Sequence, residues 1–294
     1  MTDRVGFIGV GAMGSAIASR LVDTCTLYIN DRNPAAGEKL VQQGAVFATA
    51  QEIVETCGVI FLSLPGPTNV SQLLLGENGI AAQLRSGTVI VDTTTSTPVL
   101  DQEILDALSG RGVGFVDAPI GGGVRRAYEG TATLMVGGSP DDFAKVQELL
   151  ERVTPNVFHV GNVGAGHAMK LVNNLLNSCN RFAALEAVRL GQAYGMDQDT
   201  VVNVLNMSTG RNYTTEYTFT QLLTGDTYKL QGFVLELMLK DVHLAIEMAA
   251  SMNHRTPIGN LVEDLTREAI ERFGPDADQS QLMAEWYEPN PSRT

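Results

Sequence analysis

The chain is short of basic residues, cysteines and long apolar runs, and each shortage removes a class of function. Lysine and arginine total 20 against 33 aspartates and glutamates in 294 residues, a net charge of −13. Such a surface repels a phosphate backbone and an anionic lipid face, so neither nucleic acid nor membrane is expected as a partner. The three cysteines, Cys25, Cys57 and Cys179, form no C-x-x-C spacing, and the four histidines, His159, His167, His243 and His254, are scattered. No metal site is readable from them. No stretch of 18 apolar residues occurs, and strand-like sequence begins by Val5 without a basic leader. These features predict a reducing, cytoplasmic setting. What is present, 44% hydrophobic and 18% charged residues, is enough for a folded core, and the length suits two domains.

To about residue 162, β-rich runs alternate with stretches of helical length. RVGFIG (4–9), TLYIND (26–31), GVIFLSL (58–64), TVIVD (88–92), GFVDAP (114–119), ATLMVGG (132–138) and NVFHVG (156–161) are strand-length and bounded by Gly, Pro, Asp or Asn. Helical stretches such as 13–23, 98–109 and 141–151 separate most of them. This alternation predicts an α/β fold, a Rossmann-type, doubly wound, mostly parallel sheet with helices on both faces. The early strands are almost wholly apolar, as strands buried on both sides should be. After Gly161 the β signals stop. Residues 165–194 hold no proline and no glycine between Gly166 and Gly191, which predicts a helix of about 28 residues, near 40 Å long. Helices are expected again at 197–207, 232–252 and 257–272. The division is therefore 1–162, a dinucleotide-binding domain, and 163–294, an all-helical substrate and oligomerisation domain that begins with a long interdomain helix.

Gly9-Val10-Gly11-Ala12-Met13-Gly14 ends a strand and opens a helix, the context that a G-x-G-x-x-G phosphate loop requires. The first glycine allows the turn, the second admits the pyrophosphate, and the third lets helix and strand pack closely. Asp31 stands 22 residues after Gly9, at the end of the second strand, where an acid receives the ribose 2′-hydroxyl. That favours NAD. Arg32 beside it leaves NADP as the alternative, because a guanidinium can also grip a 2′-phosphate.

On the long helix, Lys170, Asn173, Asn174, Asn177 and Arg181 fall on one stripe about 100° wide, at 100° per residue. Asparagine is a poor helix former, and solvated faces are usually dressed in Glu, Lys and Arg. The stripe reads as the polar wall of a cleft, with a solvated face as the alternative. A lysine on such a wall suits proton transfer, since a desolvated amine loses its proton more readily. Asn174, one turn on, could orient a hydroxyl or carboxylate oxygen.

With these residues in view, the chain resembles the β-hydroxyacid dehydrogenases over almost its whole length. Four blocks carry the likeness: GFIGVGAMG (6–14), DAPIGGGVRRAYEGTATLMVGG (117–138), GAGHAMKLVNN (164–174) and KDVHLA (240–245). The resemblance implies that Lys170 is the catalytic lysine and Asn174 a substrate-binding asparagine. It implies that the Gly122 and Gly123 amides hold the substrate carboxylate, that Thr95 lies by the nicotinamide ribose, that Pro65 borders the cofactor, and that Lys240 lies near nicotinamide and substrate. It further implies a small 3-hydroxy acid as substrate and a homodimer or tetramer built on the helical half. The family usually has a serine before its two glycines; here Gly121 stands there, and a hydroxyl for the carboxylate is missing. Residues 208–213 resemble the family's specificity loop, although Asn212 and Tyr213 do not reveal the side group they meet.

Two related enzyme classes fit less well. Imine reductases generally replace the lysine that is Lys170 here, and the 6-phosphogluconate-type dehydrogenases carry a histidine where this chain has Asn173. A cofactor-binding module without catalysis is the remaining alternative, and retention of Lys170, Asn174 and the glycines argues against it.

Overall fold

The computed structural model describes residues 4–222 and 230–286. The chain forms two compact units, Met1–Lys170 and Leu171–Thr294, which divide inside the first turns of the long helix. A helix carries its own backbone hydrogen bonds and so passes from one unit to the next without a linker.

The first unit is built on nine strands, β1 (Arg4–Ile8), β2 (Thr26–Asn30), β3 (Val46–Phe47), β4 (Val59–Leu62), β5 (Val89–Asp92), β6 (Gly114–Asp117), β7 (Ile120–Gly121), β8 (Thr133–Gly137) and β9 (Val157–Gly161). They pair in the order 3-2-1-4-5-6-8-7, with β9 on β8. Pairing is parallel from β3 through β6, with Val5 opposite both Leu27 and Val59, and turns antiparallel where β8 meets β6 and β7. The sheet is mostly parallel, as the apolar runs predict. Its helices are α1 (Ala12–Ser19), α2 (Glu38–Gln42), α3 (Ala50–Thr56), α4 (Pro67–Leu75), α5 (Pro98–Leu108), α6 (Gly123–Tyr128) and α7 (Pro140–Val153).

Alternate residues of the central strands feed two separate cores. Val5, Phe7, Phe61, Val91 and Val116 pack on one face, and Ile8, Ile60, Leu62, Ile90 and Phe115 on the other. All ten are nearly or wholly buried, which explains why these strands show no polar alternation. Helix starts divide into two kinds. The side chains of Thr49, Thr97 and Ser139 accept the free amides at the starts of α3, α5 and α7, whereas α1 and α4 begin at Gly11 and Gly66 with no side-chain cap. An uncapped start leaves amides for a ligand.

The second unit is helical: α8 (Ala165–Ala193) continues into it, followed by α9 (Gln198–Asn206), α10 (Phe219–Leu222), α11 (Leu235–Ser251), α12 (Pro257–Phe273) and α13 (Ser280–Glu285). The 29 residues of α8 match the expected long helix within one residue. Phe182, Leu235, Met238, Val242, Val262 and Ala269 form its core. Among the described residues no helix is long and apolar enough to cross a membrane.

Candidate active site

The phosphate loop is shaped by what glycine allows. Gly9 has φ +94°, where an L side chain is strained, and a Cβ there would run into the Ser63 carbonyl. A Cβ on Gly14 would run into the Gly9 carbonyl, while one on Gly11 would meet nothing within 4 Å. The loop is therefore tight where strand meets helix and open at the helix start. Asp31, directly after β2, accepts from the Val10 amide through Oδ2 (2.8 Å) and from the Asn33 amide through Oδ1 (2.8 Å). The acid expected to meet a ribose also braces the loop that would hold the pyrophosphate. Arg32 is exposed beside it. These features fit a dinucleotide along Gly9–Gly14 and Asp31, with open amides for phosphate and an acceptor for ribose.

Pro65 is exposed just beyond β4, and Thr95 is half-buried just beyond β5. Both stand at the carboxyl ends of parallel strands, where ligands of such sheets bind. Directly after β7, Gly122 (φ +109°) and Gly123 (φ +77°) are both left-handed and exposed, a backbone path that two successive glycines permit. Lys170 is half-buried, and its Nζ donates to the Ile120 carbonyl at 2.7 Å. The amine from the start of α8 is thus held one residue from the glycine run.

Within the helical unit, Asn174 donates through Nδ2 to Asp241 Oδ2 (2.6 Å) and accepts from Asn173 (3.0 Å). The Lys240 ammonium lies 3.4 Å from the other oxygen of Asp241. Asp241 is only 3% exposed. It was absent from the expected site, and its one sequence signal is the neighbouring lysine in KDVHLA. The polar stripe needs correcting at its far end: Arg181 is 1% exposed, inside the helical unit, with no hydrogen-bond partner for Nε or Nη1 among the described residues. Burial draws its pKa down to about 10, opposed by Tyr213 and Asp278. The side chain of Asn212 accepts from the Thr214 and Thr215 amides, so this residue starts the turn after the 208–211 loop, and Tyr213 stacks on Tyr217.

A second group of residues lies beneath the strand ends and was missed entirely. His167, Asp101, Asp92 and Asp117 are all completely buried. Burial opposes charge on the His167 ring, but the Asp101, Asp92 and Asp117 carboxylates outweigh it and push its pKa up to about 9. Burial also pushes Asp117 up to about 6, against the pull of His167 and two amides.

Comparison with known proteins gives the context for this arrangement. Residues 4–161 match the family model described as the NAD binding domain of 6-phosphogluconate dehydrogenase, and residues 164–286 the one described as the NAD-binding of NADP-dependent 3-hydroxyisobutyrate dehydrogenase. The chain is 35% identical to a 2-(hydroxymethyl)glutarate dehydrogenase of Eubacterium barkeri, over 87% of this chain and 85% of that one. It is 32% identical to an NAD-dependent L-serine dehydrogenase of Pseudomonas aeruginosa, over 95% and 96%. A solved Mycobacterium tuberculosis 3-hydroxyisobutyrate dehydrogenase with L-serine superposes with TM-score 0.86 at 26% identity, covering 98% of this chain and all of that one. Two matched family models that together span nearly the whole sequence, with relatives above 30% identity over most of it, place the chain in the β-hydroxyacid dehydrogenase family of NAD(P)-dependent oxidoreductases.

Proposed function

We propose that the protein reversibly oxidises a small 3-hydroxy acid, with Lys170 as the general acid and base. The observation that carries this reading is the 2.7 Å bond from Lys170 Nζ to the Ile120 carbonyl, which holds the amine at the entrance to Gly122 and Gly123. The substrates in the relatives' names share one skeleton. 2-(Hydroxymethyl)glutarate, serine and 3-hydroxyisobutyrate are each a hydroxymethyl group on the carbon bearing a carboxylate, differing in the third substituent. Glycerate fits the same description.

In this reading the Gly122 and Gly123 amides receive the carboxylate, since exposed left-handed glycines bring two N–H groups close to an anion. When bound, the nicotinamide supplies the hydride acceptor. As the carbinol C–H bond gives up its hydride, the neutral Lys170 amine takes the hydroxyl proton and the carbon becomes an aldehyde or ketone. In the reverse direction the ammonium returns that proton. Asn174, one turn along α8, is assigned to orient the hydroxyl or carboxylate, and Lys240 to lie near nicotinamide and substrate, both on the strength of the family resemblance. Asp31 favours NAD; Arg32 is the residue that would serve NADP.

The test is Lys170→Ala. It should bind reduced cofactor within about threefold of the parent while kcat falls roughly 10²–10⁴-fold, the range for loss of a general acid or base. Near-parental turnover would sink the mechanism. Initial rates on hydroxyisobutyrate, serine, glycerate, threonine and threonate, with both cofactors, assign the third substituent.

The same reading includes a cytoplasmic setting, suited to Cys57, a buried thiol that burial pushes up to about 11. It also includes self-association as a dimer or tetramer. Val172, Leu176, Ala183 and Leu190 are exposed on α8, on the side opposite the Lys170 stripe.

A further inference from the structure

With Asp101 as a carboxylate, His167 occupies a position that only a doubly protonated ring satisfies. Its Nδ1 lies 2.7 and 2.9 Å from the two oxygens of Asp101, and its Nε2 lies 2.8 Å from the Thr94 carbonyl. Both sets of partners are acceptors, and a neutral imidazole has one N–H to offer. The charged groups facing the ring are Asp101 from α5, Asp92 from the end of β5 and Asp117 from the end of β6. Asp92 Oδ1 accepts from the Thr94 amide (2.9 Å), while its Oδ2 has no hydrogen-bond partner among the described residues. Asp117 accepts from the Gly164 and His167 amides (2.8 and 2.9 Å), pinning the start of α8. Asp92, Asp101 and His167 offer ligand atoms within 4.8 Å of one another. Both ring nitrogens are nevertheless spent as donors, so the group is an ion-pair cluster and not an open metal site.

The bond to Thr94 has a geometric consequence. In a trans peptide the carbonyl of one residue and the amide of the next point in opposite directions. With the Thr94 carbonyl turned inward to His167, the Thr95 amide is turned away from it. The same threonine is fixed on its other side, where Thr94 Oγ1 accepts from the Leu64 amide at 3.0 Å. Three residues beyond His167, one turn of α8 later, comes Lys170.

We propose that His167, paired with Asp101, is a positioning residue that fixes the Thr94–Thr95 peptide plane against the first turn of α8, setting how Thr95 meets the nicotinamide end of the cofactor. This rests on the functional reading above for the place of Thr95, and on the geometry of this structure for everything else.

The experiment compares His167→Leu with the parent in full-length protein. We expect the dissociation constant for reduced cofactor to rise about tenfold and kcat to fall about tenfold or more, as small misplacements at a reacting centre do, with the hydroxy-acid KM within twofold. His167→Leu strands the Asp101 charge and can fail to fold. In that case His167→Leu/Asp101→Leu, which removes the Asp101 carboxylate together with its partner, is judged by the same criteria. His167→Gln/Asp101→Asn restores an amide donor for the Thr94 carbonyl and should recover most of the lost affinity. Cofactor affinity and kcat within twofold of the parent in the leucine variants overturn the proposal, as does an amide variant no better than they are. Nitrogen-15 histidine spectra of the parent at pH 7 should show two ring N–H protons for His167, and a single one also overturns it. Cofactor binding is read without turnover. A parent that binds cofactor but oxidises no hydroxy acid defeats the functional reading and leaves this comparison intact.

Discussion

The residue that most separates this chain from the pattern it otherwise follows is Gly121. The family resemblance places a serine there, and its hydroxyl would join the Gly122 and Gly123 amides at the carboxylate. A Cβ at this position lies 3.1 Å from Met135 Cε, the free end of a flexible side chain, so a small side chain needs only a slight shift. We expect Gly121→Ser to fold with a melting temperature within a few degrees of the parent. One new hydrogen bond should lower the KM of the preferred hydroxy acid by up to roughly tenfold, with kcat nearly unchanged. Steady-state kinetics on the hydroxy-acid panel check this, and unmoved KM values throughout would show that the carboxylate does not sit there. At this scale sequence legibility was uneven. Gly9, Gly14, Asp31 and Lys170 announce themselves by spacing within short motifs. His167 and Asp101 are 66 residues apart on different elements, and only the folded sheet brings them to 2.7 Å.

Among the elements, the seven predicted strands appear because each is a compact apolar run bounded by breakers. The two that escaped notice, β3 and β7, have two residues each, too few for any period to show. Helix α8 was legible because nothing in its sequence interrupts it. Its anchoring was not, since the carboxylates that hold its first turn come from β6 and α5. That anchoring makes stability depend on pH. The folded pKa of His167, about 9, lies above its ordinary value of 6.5, so protonation favours the folded state. The contribution is complete below about pH 6.5 and is lost as pH rises through about 9. Asp117, at about 6, is ionised across most of that window. We expect the melting temperature to fall by several degrees between pH 6.5 and 9.5, with a shallower slope in His167→Leu/Asp101→Leu. Equal slopes in calorimetric scans would assign the pH dependence elsewhere.

For the whole molecule the question is what covers the outer face of α8. Leu176 and Leu190 are 60% and 72% exposed, and Val172 and Ala183 share their side. A continuous apolar strip of this length is more than a monomer usually leaves in water. Light scattering should give twice or four times the chain mass, and Leu176→Glu/Leu190→Glu should shift it towards the single-chain value. A parent protein with the mass of one chain at tens of micromolar would remove the proposal. The sequence pointed to this strip only in outline, because periodicity shows that a helix has an apolar side but not which parts its own fold will cover.

The double use of Asp31 bears on how cofactor preference could change. Its carboxylate ties the Val10 and Asn33 amides, so the residue proposed to receive the ribose 2′-hydroxyl is also part of the scaffold. Replacing it with a small or basic side chain would admit the phosphate and loosen the phosphate loop together. A lineage or a designer moving this enzyme towards NADP therefore has a narrow route, in which Asn at position 31 keeps an acceptor for Val10 while Arg32 takes up the new charge.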